Sequence, residues 1–479
     1  MNYWPMITTG LAYVATLALV PMILARKRQP ASAIAWSLTI IVIPLLGTVT
    51  YFFFGHDHIE RPLRRKQTHR QRFRRPRPGD ADPSSDSMAG QELQQAETWE
   101  NMHELAARVG ASPLTEGNRV DLYGDGESAY WAKLEAIGQA QHHIHMEYFI
   151  FQPDAAGGRF IDALAEKARA GVEVRLLYDA VGSFWLHKNF LKPLKQAGAR
   201  CEPFLPIHPL RRRIQINLRN HRKLLLVDGQ VGFIGGLNIG DEYLGQSKLG
   251  FWRDSHMRIE GPAVRGLQDV FVEDWDFAAG TKLDSDAYFP PLAAEGSERL
   301  QMIWSGPDQA HNAVREIFFA AATNANTRLW IATPYFVPDD AFIYAIRSAA
   351  HVGADVRIIT QNDKPDKRLP LWASKYYWPD LWDAGVRIYQ YRKGMMHAKV
   401  MIADDDWATL GTANMDNRSM RLNFEVNTLI YSRPTVDALI EQFQHDLDDS
   451  VEINPDAFAR QSRPQRLVQN AARLLSPVL

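Results

Sequence analysis

Two short stretches of this 479-residue chain place the same reactive residues at the same spacing. In "NHRKLLLVDGQVGFIGGLN" they are His221, Lys223 and Asp228, followed by Gly235 and Asn238. In "HAKVMIADDDWATLGTAN" they are His397, Lys399 and Asp404, followed by Gly411 and Asn414. Both runs read as apolar strands, whose side chains alternate between faces, so the histidine and lysine of each copy emerge together while Arg222 and Leu224 point the other way. Two cationic groups sharing a buried face are costly unless something anionic sits between them. A lone histidine on such a strand is ordinarily a satisfied core residue. The pattern H-x-K-x4-D-x6-G-[GT]-x-N occurring twice in one chain instead marks a site for an anion. Asp228 precedes Gly229 in a turn, where aspartate commonly bonds local backbone, so it reads as a support residue.

The flanking elements repeat as well. "HIHMEYFIFQPD" is echoed by "LWIATPYFVPDD", and the helical patterns "FIDALAEKARAG" and "AFIYAIRSAAHVG" follow. Apolar strands come next, "VEVRLLYDA" and "ADVRIITQN", and then the helix ends "KQAGARCEPF" and "WDAGVRIYQY". Alternating strands and helices predict two fused α/β repeats, each a mixed sheet covered by helices. The expected boundaries are 96–285 for the first repeat and 286–450 for the second, with "AAGTKLDSDAYFPPLAAEGSE" as the joint and 451–479 as a tail.

Ahead of the repeats lie two apolar stretches, Met6 to Leu24 and Ile34 to Phe54. Each is long enough to cross a hydrocarbon core of roughly 30 Å at about 1.5 Å per residue. The start "MNYWP" lacks the basic residue of a signal peptide, so residues 1–56 are expected to form a transmembrane helical hairpin, with 57–95 a basic segment and linker. Nine Lys/Arg between Arg61 and Arg77 favour a cytoplasmic catalytic region; the three in "ARKRQPAS" argue the other way. The first 80 residues carry a net charge of +9 and the remainder −10, and an acidic body is a poor polyanion binder. Nucleic acid is therefore not the expected partner. Cys201 is the only cysteine, which excludes an intrachain disulfide and a cysteine-rich zinc site, and no other metal-ligand cluster stands out.

With its paired HKD motifs the sequence resembles the phospholipase D superfamily, and most closely the bacterial cardiolipin synthases. "GFIGGLNIGDEYLG", "WRDSHMRIEGPAV", "DNRSMRLNFEVN" and the apolar hairpin carry the likeness over nearly the whole chain. The resemblance implies phosphatidyl transfer between two phosphatidylglycerol molecules in the bilayer of a bacterial inner membrane, without metal or cofactor. Such a reaction needs a nucleophile, an acid for the leaving oxygen and fixed positive charge. His221 and His397 meet the first two needs, with His221 favoured as nucleophile by resemblance; Lys223 and Lys399 supply charge, and Asn238 and Asn414 supply neutral donors. Asp228 and Asp404 complete the motif. Each histidine needs an acceptor at its far nitrogen, and the resemblance places Asp254 and Glu425 in that role.

Two features are read from the residues alone. Arg211, Arg212, Arg213 and Arg219, just before the first motif, either meet lipid head groups at the mouth of the site or form a solvated loop. "RLVQNAARLLSPVL" puts Leu467, Val468, Ala471, Leu474 and Leu475 at helical spacing, for a membrane surface or for packing on the catalytic body. The rival functions are a hydrolytic phospholipase D, in which water is the acceptor, a nuclease of the same superfamily and a non-enzymatic membrane scaffold.

Overall fold

The computed structural model describes residues 18–26, 30–51, 94–206, 217–309 and 312–479. The chain divides into two compact units, residues 1–65 with 207–218, and residues 66–206 with 219–479.

In the first unit three short helices, Leu19–Arg26, Pro30–Val42 and Pro44–Thr50, gather Ile23, Ala33, Ile40 and Tyr51 into a small core. Among the described residues no helix is long and apolar enough to cross a membrane. This differs from the expected pair of continuous spans. Much of the first apolar stretch lies outside the described residues, and the second is interrupted at Ile43. Pro44 has no N–H to continue the ladder, so it starts a new helix, and Ile43 takes an extended φ of −132°.

The second unit holds both repeats. In the first, the strand Thr115–Asp125 pairs with Phe251–Glu260, which pairs in turn with Val231–Gly235, Lys223–Val227, His143–Tyr148, Glu173–Asp179 and Arg200–Phe204. The last three run parallel and the rest antiparallel. The second repeats this order with Glu298–Ser305, Asn423–Ile430, Trp407–Gly411, Val400–Ala403, Arg328–Ala332, Asp355–Thr360 and Arg387–Tyr391. Thr115–Asp125 also pairs with Glu298–Ser305, joining the two sheets. This is the expected mixed α/β repeat.

Local chemistry explains the turns. Beyond the strands His143–Tyr148 and Arg328–Ala332, Asp154 and Asp339 cap a helix by accepting from Gly157 N and Phe342 N at 2.9 and 3.0 Å. Each repeat has its own apolar core. Phe160, Leu164, Leu176, Leu225 and Phe233 belong to the first, and Ile331, Ile346, Ile358, Trp378 and Trp407 to the second.

The helix Gln94–Val109 precedes the first repeat in sequence yet packs on the second, where Trp99 stacks on Trp407 at 5.6 Å. The strand Ser450–Glu452 likewise extends the second sheet beyond residue 450. In the tail, helix Arg463–Arg473 buries Ala472 in the second core and sets Arg473 over the Tyr376 ring at 4.2 Å, while Leu467 and Leu474 stay exposed.

Candidate active site

The motif aspartates build the turns at the far ends of the strands that follow the histidines. Asp228 and Asp404 sit at φ 55° and 54°, a left-handed conformation that aspartate tolerates better than most residues. Asp228 accepts from the backbone N–H of Gln141, His142 and His143 at 2.7–2.8 Å, and Asp404 from those of Asn326, Thr327 and Arg328 at 2.8–3.1 Å. Each thereby pins its hairpin to the start of the neighbouring strand. Their geometry is that of support, at the end of the strand away from the histidine.

Two very short strands then exchange between repeats. Arg219–Asn220 runs parallel to Asn423–Phe424, and Gly394–Met396 runs parallel to Phe251–Arg253. Just beyond, His221 N donates to the Phe424 carbonyl at 3.0 Å and His397 N to the Arg253 carbonyl at 2.7 Å. The next residue along each acceptor strand is an acid. His221 Nδ1 therefore meets Glu425 Oε1 at 2.9 Å, and His397 Nδ1 meets Asp254 Oδ2 at 2.6 Å. Each histidine is oriented by a carboxylate from the other repeat.

The motif's small-residue position serves the same pairs. A Cβ at Gly236 would stand 2.1 Å from Asp254 Oδ1, so only glycine leaves room for that carboxylate. Its counterpart Thr412 donates its hydroxyl to Glu425 Oε2 at 2.6 Å. Asn423 adds a second donor to Glu425 at 3.2 Å, and Ser255 N donates to Asp254 at 2.8 Å.

Burial pushes both imidazoles down to about 4, the adjacent lysines add to the effect, and the carboxylates oppose it. Glu425 is held below the usual carboxylate range, because His221, Lys223 and Thr412 outweigh the upward push of burial. Each pair is thus a carboxylate holding a neutral imidazole, with Nδ1–H donating and Nε2 bearing the lone pair. Among the described residues nothing hydrogen-bonds Nε2 of His221, whereas Lys399 Nζ lies against the His397 ring, 3.0 Å from Nδ1 and 3.3 Å from Nε2.

Lys223 and Lys399 are buried beside their histidines. Lys223 Nζ donates to the His221 carbonyl at 2.6 Å and lies 5.5 Å from the Phe149 ring centroid; Lys399 Nζ donates to the His397 carbonyl. Burial drives Lys223 well below the usual lysine range, and Lys399 down to about 8 against the pull of Asp254. A bound anion would relieve this cost.

Asn238 and Asn414 are buried close by, but each has committed an N–H to its own repeat: Asn238 to the Tyr243 hydroxyl at 2.9 Å, Asn414 to Asp416 at 3.2 Å. Arg219 departs from expectation. Its side chain is buried and paired with Asp179 at 3.2 Å, because the short exchanged strand carries it inside. It does not line an exposed mouth. Arg211, Arg212 and Arg213 lie outside the described residues.

Several contributors carry no local signature. Arg222, between His221 and Lys223, donates Nε to the Glu425 carbonyl at 3.3 Å and pairs with Asp274. Phe149 packs against His221 at 4.9 Å, and Trp252 against His397 at 5.3 Å. Lys133 is buried and pushed down to about 7 by burial, opposed by the charge of Asp254. Thr412 alone had a sequence signal, as the variable position of the repeated motif. Among the described residues no group of three or more His, Cys, Asp or Glu could hold a metal ion.

Residues 134–275 and 318–447 match the family model described as "Cardiolipin synthase, PLD-like domain", and residues 14–56 match "Phospholipase_D-nuclease N-terminal". The chain is 39% identical over 472 residues to cardiolipin synthase 2 of Bacillus anthracis, covering 96% of this chain and 89% of that one. It is 40% identical over 458 residues to a cardiolipin synthase of a Geobacillus species, covering 95% and 90%. Among solved structures, phosphatidylserine synthase of Haemophilus influenzae shares the fold at a TM-score of 0.59 and 16% identity, over 80% of this chain and 100% of that one. Two matched repeats and near full-length relatives establish that the chain belongs to the cardiolipin synthase family with phospholipase D-like domains.

Proposed function

We propose that this chain is a phosphatidyltransferase that makes cardiolipin from two molecules of phosphatidylglycerol. The observation that carries the chemistry is the pair of crossed imidazole–carboxylate contacts, which leaves Nε2 of each histidine for reaction. Nε2 of His221 attacks the phosphorus of one lipid, a P–N bond forms, and the P–O bond to glycerol breaks. Nε2–H of His397 protonates the departing glycerol oxygen. The hydroxyl of the second phosphatidylglycerol then gives its proton to His397 and attacks phosphorus, breaking the P–N bond and freeing His221. Atoms and protons balance without a metal or cofactor. The unengaged Nε2 of His221, against the ammonium of Lys399 lying on the ring of His397, supports His221 as nucleophile. The negative phosphodiester itself favours the charged forms of Lys223, Lys399 and the acid histidine, so the site gains its proton as substrate binds. Asn238 and Asn414 offer their remaining N–H groups to phosphoryl oxygens.

Residues 1–56 act as the membrane hairpin of a cell-membrane enzyme whose repeats lie in the cytoplasm. The match of residues 14–56 supports this reading, as do the exposed apolar side chains of Ile34, Leu38, Val42 and Leu46. Arg211 to Arg213 would draw an anionic acceptor lipid.

The test is product analysis. In phosphatidylglycerol bilayers the protein should release glycerol and cardiolipin in near-equal amounts with little phosphatidic acid, since water at about 55 M is beaten only by positioning and exclusion. Phosphatidic acid as the main product in lipid-rich bilayers would replace the synthase with a hydrolase.

A further inference from the structure

The segment "AVGSFWLHKNF" follows the strand Glu173–Asp179 and exposes two adjacent aromatic rings, Phe184 at 66% and Trp185 at 69%. Isolated exposed apolar residues are ordinary and need no explanation. This pair differs in how firmly it is held and in what it is held to. Asp179 accepts from the backbone N–H of Val181 and Gly182 at 2.9 and 2.8 Å, and its other oxygen accepts from Asn220 N at 2.8 Å. Asn220 is the neighbour of His221. The Ser183 hydroxyl donates to the Phe149 carbonyl at 3.0 Å and accepts from Phe151 N at 3.0 Å. A Cβ at Gly182 would stand 2.3 Å from that same carbonyl, so the loop lies flat on Phe149, whose ring packs on His221. Leu186, just past the aromatic pair, is buried and closes the anchor. The two rings meet edge to face at 5.3 Å.

We infer that Phe184 and Trp185 form a fixed aromatic lip that enters the headgroup layer of the bilayer and seats the His221 half of the site at the depth of lipid phosphates. This rests on the lipid-transfer reading above. A bilayer phosphodiester stays at headgroup level, so the face that opens on His221 must come to that level to react with it. Aromatic rings favour that layer, where an apolar body and wet surroundings coexist. Two side chains are too little for a stable protein interface, which takes about 800 Å² per partner. The equivalent segment of the second repeat, "QNDKPDK" after Asp355–Thr360, is polar, so the lip is a specialisation of one repeat.

The test uses the full chain in phosphatidylglycerol nanodiscs. The emission of Trp185, taken as wild type minus Trp185→Phe, should be quenched by lipids brominated near the headgroup and protected from iodide. The variant Phe184→Ser/Trp185→Ser should turn over bilayer phosphatidylglycerol at least about fivefold more slowly, given the area those rings remove from water. It should leave the rate on monomeric short-chain phosphatidylglycerol unchanged. Quenching of Trp185 by iodide and not by bromolipid would overturn the inference. So would an equal loss of rate on both substrates, which would make the loop part of the site, or a self-association abolished by the double variant, which would assign the face to a second copy. A wild-type chain inactive on both substrates would overturn the lipid-transfer reading, while the quenching comparison would still decide the lip.

Discussion

Glu425, carried by the second repeat, holds Nδ1 of His221 in the first at 2.9 Å, and Asp254 of the first returns the contact to His397 of the second at 2.6 Å. Neither repeat owns a complete histidine. The exchanged strands put backbone hydrogen bonds beside these contacts, so ring orientation is tied to the pairing of the two halves.

Glu425→Gln and Asp254→Asn each keep shape while removing the charge that fixes the tautomer. Each should lower turnover by about 10² to 10⁴, the range of general acid–base contributions, whose upper end is reached when a triad's orienting aspartate is neutralised. Initial rates on bilayer substrate, with circular dichroism as a check on folding, decide this. A loss under about threefold in either variant, against that range, would remove orientation as the role of the carboxylate.

His221→Ala and His397→Ala should each abolish cardiolipin formation, and the double variant should be no worse than either single one, since the two act as a unit. The roles separate with a good leaving group. On an aryl phosphodiester, which departs without an acid, His397→Ala should still show a burst of released phenol and a phosphorylated His221, and His221→Ala should show neither. A trapped adduct on His397 would reverse the assignment.

The pH profile of kcat/KM should have two limbs and no broad plateau, because the free enzyme needs neutral His221 and protonated His397 together and burial has put both at about 4. A neutral imidazole is needed for attack, so the acid limb comes as pH falls through about 4, where burial has put His221. The alkaline limb begins with the proton that His397 must give, which the free enzyme holds only below about 4, and it steepens as Lys399 loses its charge through about 8. Lys399→Arg should move that steepening upward at the cost of a lower maximum, because guanidinium stays charged but does not fit the ammonium's place. The fold pays attention to the same groups: below the unfolded value of 6.5 the unfolded chain binds protons that His221 and His397 refuse. Melting temperature should therefore drop as pH falls from 6.5 towards about 4.

Asp228→Ala and Asp404→Ala should act on stability. Each strands three backbone N–H groups and leaves alanine at positive φ, a combined cost of about 3 kcal/mol. Thermal melts should show the loss, and activity per folded molecule well below the melt should change little. A variant that melts normally but is inactive would give the aspartate a part in the chemistry.

The sequence alone determined the doubled motif and the α/β repeat, because strand alternation and turn chemistry are local properties, whereas His221, His397 and Lys399 stand in short segments between strands and not on the strands that alternation predicts. It also marked Asp228 as support, through its place before Gly229. What tertiary structure decided is which acid serves which histidine. Glu425 lies 204 positions from His221 and Asp254 lies 143 from His397, and the strands that bring them together are two or three residues long, too short for any periodic signal. The same short pairing drew Arg219 inward to Asp179, and an apolar face with no local partner sent helix Gln94–Val109 to the second repeat. Long-range pairing is settled by which surfaces fit when the halves close on each other, and no window of sequence contains both surfaces.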